Sequence, residues 1–292
     1  MKHIFIMYDI KKMHDFEKQI HEVMKDLDYE IKYTHSKQEI IDFIKRLSEP
    51  SRLYSVGGDG ALNIVIQAIV HTQHEVVVIP LGTGNDFCRM LTHEKNPVTL
   101  LRQSLKCQAY PIDAMKLNDL YFINSACFGV DSIIATHVHD TPDIPLIPES
   151  KSYIVSILQH VFQYQFDEVT IEGDGKLLYK GPVTLCTFNN GQYYGGGFPI
   201  IPHADIRDGY MDICVVDKVP KSKIPYLLTF LLRRLLHKRK EVHFFKVKEA
   251  YISSHVTCNL DGDEVQGHEF HLKVIPQSVR FVIYDEMCLT YK

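Results

Sequence analysis

Two short runs combine glycine with carboxylate and amide side chains: Gly57-Gly58-Asp59-Gly60 and Gly82-Thr83-Gly84-Asn85-Asp86. Glycine lets the backbone reach positive φ and approach a ligand closely. A helix that starts at such a turn offers free N–H groups to phosphate oxygens. Each run follows an apolar stretch, residues 53–56 and residues 76–80, and the first precedes the helical pattern of residues 61–71. Alone, the first run reads equally well as a tight strand-to-helix turn with no ligand. Two such runs at the ends of neighbouring parallel strands share the carboxyl edge where open α/β sheets hold ligands. The chemistry indicated is the binding of a nucleoside triphosphate. Neither run ends in the Gly-Lys-Ser/Thr of a Walker loop.

The elements that must position these runs are legible around them. Residues 3–8, 30–34, 53–56 and 76–80 read as strands, and residues 14–28, 37–47 and 61–71 as helices, the last with Leu62, Val65, Ile66 and Ile69 on one stripe. That alternation predicts a doubly wound, Rossmann-like α/β domain. After about Asp113 the pattern changes to strand-like segments, residues 121–124, 168–172, 183–189, 210–216, 250–254 and 271–275, punctuated by Gly, Pro, Asn and Asp. This half reads as an antiparallel β-sandwich or barrel. The expected division is an α/β domain over residues 1–115 and a β-sandwich over 116–292, with the last few residues returning to the first domain. Pro142, Pro145 and Pro148 mark residues 140–149 as an irregular loop.

A chain of 292 residues with 45% hydrophobic side chains has room for two moderate cores. Its net charge of −4 gives no polyanion-binding bias, so no nucleic acid partner is expected. Seven scattered cysteines without a C-x-x-C pair argue against structural zinc or a disulfide framework and fit a reducing cytoplasm. Neither a signal peptide nor a run of roughly 20 apolar residues is recognisable. The expectation is a cytoplasmic protein able to visit a membrane surface, with homodimerisation left open.

Further runs follow in order: Asn124-Ser125-Ala126-Cys127-Phe128-Gly129-Val130-Asp131, Tyr193-Tyr194-Gly195-Gly196-Gly197, Asp208-Gly209-Tyr210-Met211-Asp212 and Asn259-Leu260-Asp261-Gly262-Asp263. With the two glycine runs, this series resembles the catalytic domain of the diacylglycerol kinase family, which includes sphingosine kinases and the bacterial soluble lipid kinases. Size and motif order look most like the bacterial members. NAD kinases share the first glycine run and a similar architecture.

The resemblance implies an N-terminal nucleotide domain, a C-terminal β-sandwich and an active site between them, using ATP and Mg²⁺ to phosphorylate a lipid hydroxyl, diacylglycerol being the default acceptor. Carried over by position, Gly57, Gly58, Asp59, Gly60, Ala61, Leu62 and Asn63, together with Thr83, Gly84 and Asn85, would embrace the nucleotide, with Thr34 reaching it from the second strand. Asp59, Asp86 and Asp113 would form a carboxylate network around catalytic magnesium. Asp261 or Asp263 would act on the acceptor hydroxyl, although Asp-Gly-Asp also reads as a hairpin turn. Asp205, Asp208 and Tyr210 would hold a second, structural magnesium, Asp208 through its side chain and the others through carbonyls; the same run also reads as a charged β-turn.

Two features depart from the family pattern. Residues 9–13, Asp9-Ile10-Lys11-Lys12-Met13, lack the proline and glycine of the usual first loop, and Ala61 replaces a threonine. Rival readings are therefore a kinase acting on a sphingoid base or NAD, and a nucleotide-binding regulator without catalysis. For membrane contact, the apolar run 224–236 ends in Arg233, Arg234, Lys238 and Arg239, which suits anionic headgroups or a core helix with a solvated basic end. The apolar residues of the 142–148 segment suit a lipid-facing mouth or packing between domains.

Overall fold

A computed structural model describes residues 1–8, 14–34, 36–129, 167–255 and 257–285. Residues 9–13, Val130, Asp131 and the proline-rich segment, all considered above, lie outside the described residues.

Strand β1 (Lys2–Tyr8) shows why the first half is doubly wound. Its side chains alternate between faces. Ile4 and Ile6 join one core with Ile40 and Ile44 of α2 (Lys37–Lys45) and Leu62, Val65 and Ile66 of α3 (Asp59–Ile69). Phe5 and Met7 join a second core with Phe16, Ile20 and Met24 of α1 (His14–Met24) and Leu100 and Leu101 of α4 (Pro97–Ser104). Strands β2 (Tyr29–Thr34) and β3 (Ser51–Gly57) flank β1 in parallel, and β4 (Glu75–Pro80) lies beyond β3. The carboxyl ends of β3 and β4 therefore sit side by side. Helix α4 escaped the periodicity reading because it is short, but its start is well marked: Asn96 accepts from the N–H groups of Val98 and Thr99, ahead of Pro97 at the first turn.

The second half is antiparallel. Strands β5 (Ala109–Leu117), β6 (Leu120–Phe122), β7 (Ser125–Gly129), β8 (Asp167–Gly173) and β9 (Lys176–Asn189) are followed by the short pair β10 (Tyr193–Tyr194) and β11 (Phe198–Pro199). Then come β12 (Met211–Asp217), β13 (Val242–Val247), β14 (Glu249–Ser253), β15 (Cys258–Leu260), β16 (Asp263–Val265) and β17 (Glu269–Val282). Their inward side chains, among them Phe128, Phe188, Ile213 and Phe270, close a separate core. Helix α5 (Ile224–Leu232) packs outside it, burying Ile224, Leu227 and Leu231. Within the apolar run 224–236, Ile224, Leu227, Leu231 and Leu236 are buried whereas Tyr226 and Leu232 are exposed, and Arg239 lies over the rings of Tyr226 and Phe230 at 5.2 and 5.0 Å. Arg233, Arg234 and Lys238 remain exposed.

One strand joins the halves. The first residues of β17 pair with β14, while Arg280 and Phe281 pair in parallel with Glu75 and Val76 of β4. Along most of its length β17 also pairs with β5. The residue 115/116 junction drawn from sequence falls inside β5. Phe281 is fully buried in the first core, its ring 5.2 Å from that of Phe87 just after the second glycine run. Phe281→Ala is therefore expected to cost about 3–5 kcal/mol by chemical denaturation. Leu177→Ala, at an exposed hairpin position, should stay within about 0.5 kcal/mol.

Candidate active site

The two glycine runs touch backbone to backbone. A Cβ on Gly82 would lie 2.4 Å from the Cα of Gly58 and 2.9 Å from its nitrogen, so no larger residue fits. Leu81 donates its N–H to the Gly57 carbonyl at 2.9 Å. Asn85, at φ +51, folds its amide back onto Gly82, accepting from its N–H at 3.1 Å and donating to its carbonyl. Asp59, first residue of α3, accepts from the N–H groups of Asp86 and Phe87 at 2.9 and 3.1 Å. The side chain that opens one loop's helix thus fixes the other loop.

Of the residues assigned to the nucleotide, the first turn of α3 offers the N–H groups of Gly60 and Ala61, which have no intrahelical acceptor. Leu62 points into the core with its N–H donated to the Gly58 carbonyl at 3.2 Å, and the Asn63 side chain is tied to Gln67, so neither side chain faces the loops. The Thr34 hydroxyl donates to Glu39 at 2.6 Å and accepts from the Ser36 N–H, which makes it a support for the start of α2.

The carboxylates fall into three places. Asp59 and Asp86 share the first. The Asp86 Oδ2 accepts from the Gly196 N–H of the sandwich half at 2.9 Å, whereas its Oδ1 is buried without a hydrogen-bond partner, 3.6 Å from Arg89 Nε. Burial, then the neighbouring Asp59 charge, pushes Asp86 up to about 7, and burial raises Asp59 as well. An orphaned, buried carboxylate oxygen beside a second carboxylate suits a hard cation, and Mg²⁺ commonly takes one or two carboxylates and completes its shell with phosphate and water. Asp59 and Asp86 therefore fit the catalytic magnesium.

Asp113 belongs to the second place. Its oxygens accept from the N–H groups of Gly209 and Gln277 at 2.7 and 2.8 Å, and burial, with a smaller push from Asp208 and Asp205, raises it above the usual carboxylate value. The expected three-carboxylate network is thus divided, with Asp113 bracing the 205–210 turn. In that turn Asp205 accepts from the Arg207 N–H, and Asp208 accepts from the Tyr210 N–H and pairs with Lys246 at 2.5 Å. Lys246 would have to leave Asp208 before a metal could take its side chain.

The third place is the β15–β16 hairpin. Asp261, at φ +48, accepts from the N–H groups of Ile123, Asn124 and Ser125 at 2.7–3.3 Å. Burial pushes it up to about 7 against those three donors, and the Asp59 charge adds to the rise, so Asp261 lies within electrostatic reach of the first pair. It is engaged in holding the Asn124 strand. Asp263 sits at the rim, half exposed, with Lys37 Nζ 2.6 and 2.7 Å from its two oxygens. Lys37 was not singled out in the sequence. The available signal is its position at the first turn of α2, where the helix dipole disfavours a cation unless an acid faces it.

The fold is that of the diacylglycerol kinase and NAD kinase architecture. Residues 10–117 match the family model for the diacylglycerol kinase catalytic domain, and residues 124–283 match that for the YegS C-terminal NAD kinase beta sandwich-like domain. The chain belongs to this diacylglycerol kinase-type family. It is 29% identical over 230 residues to a "Probable lipid kinase YegS-like" protein of Yersinia enterocolitica, covering 77% of this chain and 76% of that one. A Shewanella frigidimarina protein of the same description is 27% identical over 78% of this chain and 74% of its own. Among solved structures, a diacylglycerol kinase from Bacillus anthracis superposes with a TM-score of 0.77 at 20% identity, covering 97% and 96% of the two chains. An NAD kinase from Archaeoglobus fulgidus in complex with ATP gives 0.56 at 15% identity over 98% and 95%.

Gly82→Ala must separate the two loops and should cost about 1–3 kcal/mol, whereas Gly60→Ala meets no atom within 4 Å and should melt like the parent. The sign for Asp86 follows from its raised value: between the unfolded value near 4 and about 7, the folded state binds more protons, so stability falls as pH rises through this window. In metal-free buffer the melting temperature of the parent should therefore drop from pH 5 to pH 8 relative to Asp86→Asn. Parallel curves would remove the buried charge from this account.

Proposed function

We propose that this protein is an ATP- and Mg²⁺-dependent lipid kinase that transfers the γ-phosphoryl group to the hydroxyl of a diacylglycerol-type acceptor. The observation that carries the reading is the interlocked pair of glycine loops, closed by Asp59 and Asp86 and facing a sandwich rim that presents Asp263. The family match and the relatives described as probable lipid kinases support it.

The N–H groups of Gly60 and Ala61 take phosphate oxygens at the positive end of α3. Bound Mg²⁺ supplies neutralisation of the phosphate charge, held by Asp86 and Asp59. Asp263 takes the proton of the acceptor hydroxyl or orients it, once Lys37 releases its carboxylate. A half-exposed ion pair is worth about 0–1 kcal/mol, so an arriving substrate can open it. Asp261 is a positioning residue, fixing the strand start at Ile123–Ser125 beneath the hairpin. The loss of a threonine at Ala61 removes a side-chain ligand but leaves its N–H in place. The lipid is reached at a membrane surface, with the exposed Arg233 and Lys238 meeting anionic headgroups. No described helix is long and apolar enough to cross a membrane.

Labelled ATP offered with diacylglycerol, a sphingoid base or NAD should label diacylglycerol. Label on another acceptor, or on none, overturns the assignment. Asp263→Asn should lower kcat by about 10²–10⁴-fold with little change in KM for ATP or in melting temperature. Asp59→Ala should abolish turnover, but it also releases the N–H groups of Asp86 and Phe87, so Asp263 is the cleaner test. Arg233→Glu with Lys238→Glu should weaken co-sedimentation with anionic vesicles; unchanged co-sedimentation would reject docking through this face.

A further inference from the structure

The ion pair between Lys37 and Asp263 spans the two halves of the molecule, 226 residues apart in the chain, with Nζ 2.6 and 2.7 Å from the two carboxylate oxygens. The other acids of α2 are engaged elsewhere: Glu39 by Lys32 at 2.7 Å and by the Thr34 hydroxyl at 2.6 Å, and Asp42 by the Gln38 amide at 2.8 Å. On the hairpin, Asp261 is taken up by the N–H groups of Ile123, Asn124 and Ser125. Among the described residues, Asp263 is therefore the acid that answers the Lys37 charge.

The two partners differ in freedom. The hairpin is fixed through its turn: the Asp261 N–H donates to the Ser125 carbonyl at 3.0 Å, the Gly262 N–H donates to the Asn259 side-chain oxygen at 3.1 Å, and Asp263 pairs with Leu260 in the β15–β16 ladder. Lys37 carries its charge half exposed on a flexible four-carbon stem. The ammonium is the part that can move. Its place at the first turn of α2 calls for an anion in front of it, because the helix dipole disfavours a cation there.

The proposed reaction removes that anion. The acceptor oxygen bonds to the γ-phosphorus, the bond from that phosphorus to the bridging oxygen of ADP breaks with its electron pair left on ADP, and the hydroxyl proton passes to Asp263, which becomes neutral. A hydroxyl bonded to a carboxylate lies about 2.5–3 Å from it, and the same oxygen carries the phosphate afterwards. As charge is lost at Asp263, a phosphate monoester forms beside it, within reach of the lysine stem.

We propose that Lys37 serves both anions in turn, holding Asp263 before the transfer and binding the new phosphate monoester after it. The proposal rests on the kinase reading and on Asp263 as the acid at the acceptor hydroxyl. It adds that one lysine lets the site hold the phosphorylated product more tightly than the alcohol.

The test compares the parent with Lys37→Gln and Lys37→Arg, using dihexanoylglycerol as acceptor and dihexanoyl phosphatidate as product. Lys37→Gln should weaken phosphatidate binding in calorimetry about fivefold, the upper end of what a part-exposed ion pair contributes, and relieve product inhibition by the same factor. The KM values for dihexanoylglycerol and ATP and the melting temperature should stay near the parent's, and Lys37→Arg should restore phosphatidate binding. Equal phosphatidate binding by the parent and Lys37→Gln, a matching loss of affinity for alcohol and phosphatidate, or failure of arginine to restore binding would overturn the proposal. A parent that does not phosphorylate dihexanoylglycerol sinks the kinase reading and this inference with it. A parent that does, beside a Lys37→Gln variant with unaltered phosphatidate affinity, sinks the inference alone.

Discussion

Contact between Gly58 and Gly82 sets the distance between two loops that are 24 residues apart in the chain, and the other parts of the site are built on that distance. Because neither residue has a side chain, the backbones meet directly, and Asp59 can reach across to the N–H groups of Asp86 and Phe87. Those bonds turn Asp86 toward the sandwich, where the Gly196 N–H meets it. One backbone contact therefore positions the helix start, the buried carboxylate pair and the junction with the second half. Neither loop has a conformation independent of the other.

The two halves are joined more firmly than a linker would join them. Strand β17 begins in the sandwich beside β14 and ends beside β4 in the first sheet, carrying Phe281 into the core behind the second loop. Asp113 braces the 205–210 turn through Gly209 and holds the N–H of Gln277, at a register shift within β17. The Lys37–Asp263 pair across the rim is the weakest of these connections and the most exposed.

Local pattern was enough for the first half. The alternation of Ile4, Phe5, Ile6 and Met7 and the stripe of Leu62, Val65 and Ile66 are consequences of strand and helix periods, and they appear in the structure at nearly the boundaries expected. The glycine loops were legible because glycine beside carboxylate at a strand end has few other uses. The pairing of β17 with both halves was not legible, since it depends on contacts more than 150 residues apart. The roles of the acidic residues were blurred for the same reason. Spacing cannot show that Asp261 is engaged by three N–H groups, that Asp113 lies with the 205–210 turn, or that Lys246 pairs with Asp208.

The contrast between Asp86 and Asp263 explains why the acids are divided. A carboxylate that is to meet a cation gains from burial, because burial makes its charge unfavourable until the cation arrives and strengthens the interaction when it does. The cost in the cation-free protein is a raised proton affinity and an oxygen without a hydrogen bond, both seen at Asp86. In the proposed reaction a carboxylate that takes a proton from the acceptor hydroxyl must instead stay ionised and reachable, which a half-exposed position with a lysine counterion provides. Burying Asp263 as deeply as Asp86 would keep it protonated, and exposing Asp86 would surrender its cation to water. The fold meets both requirements of the proposed reaction by burying Asp86 beside the glycine loops and leaving Asp263 half exposed on the β15–β16 hairpin.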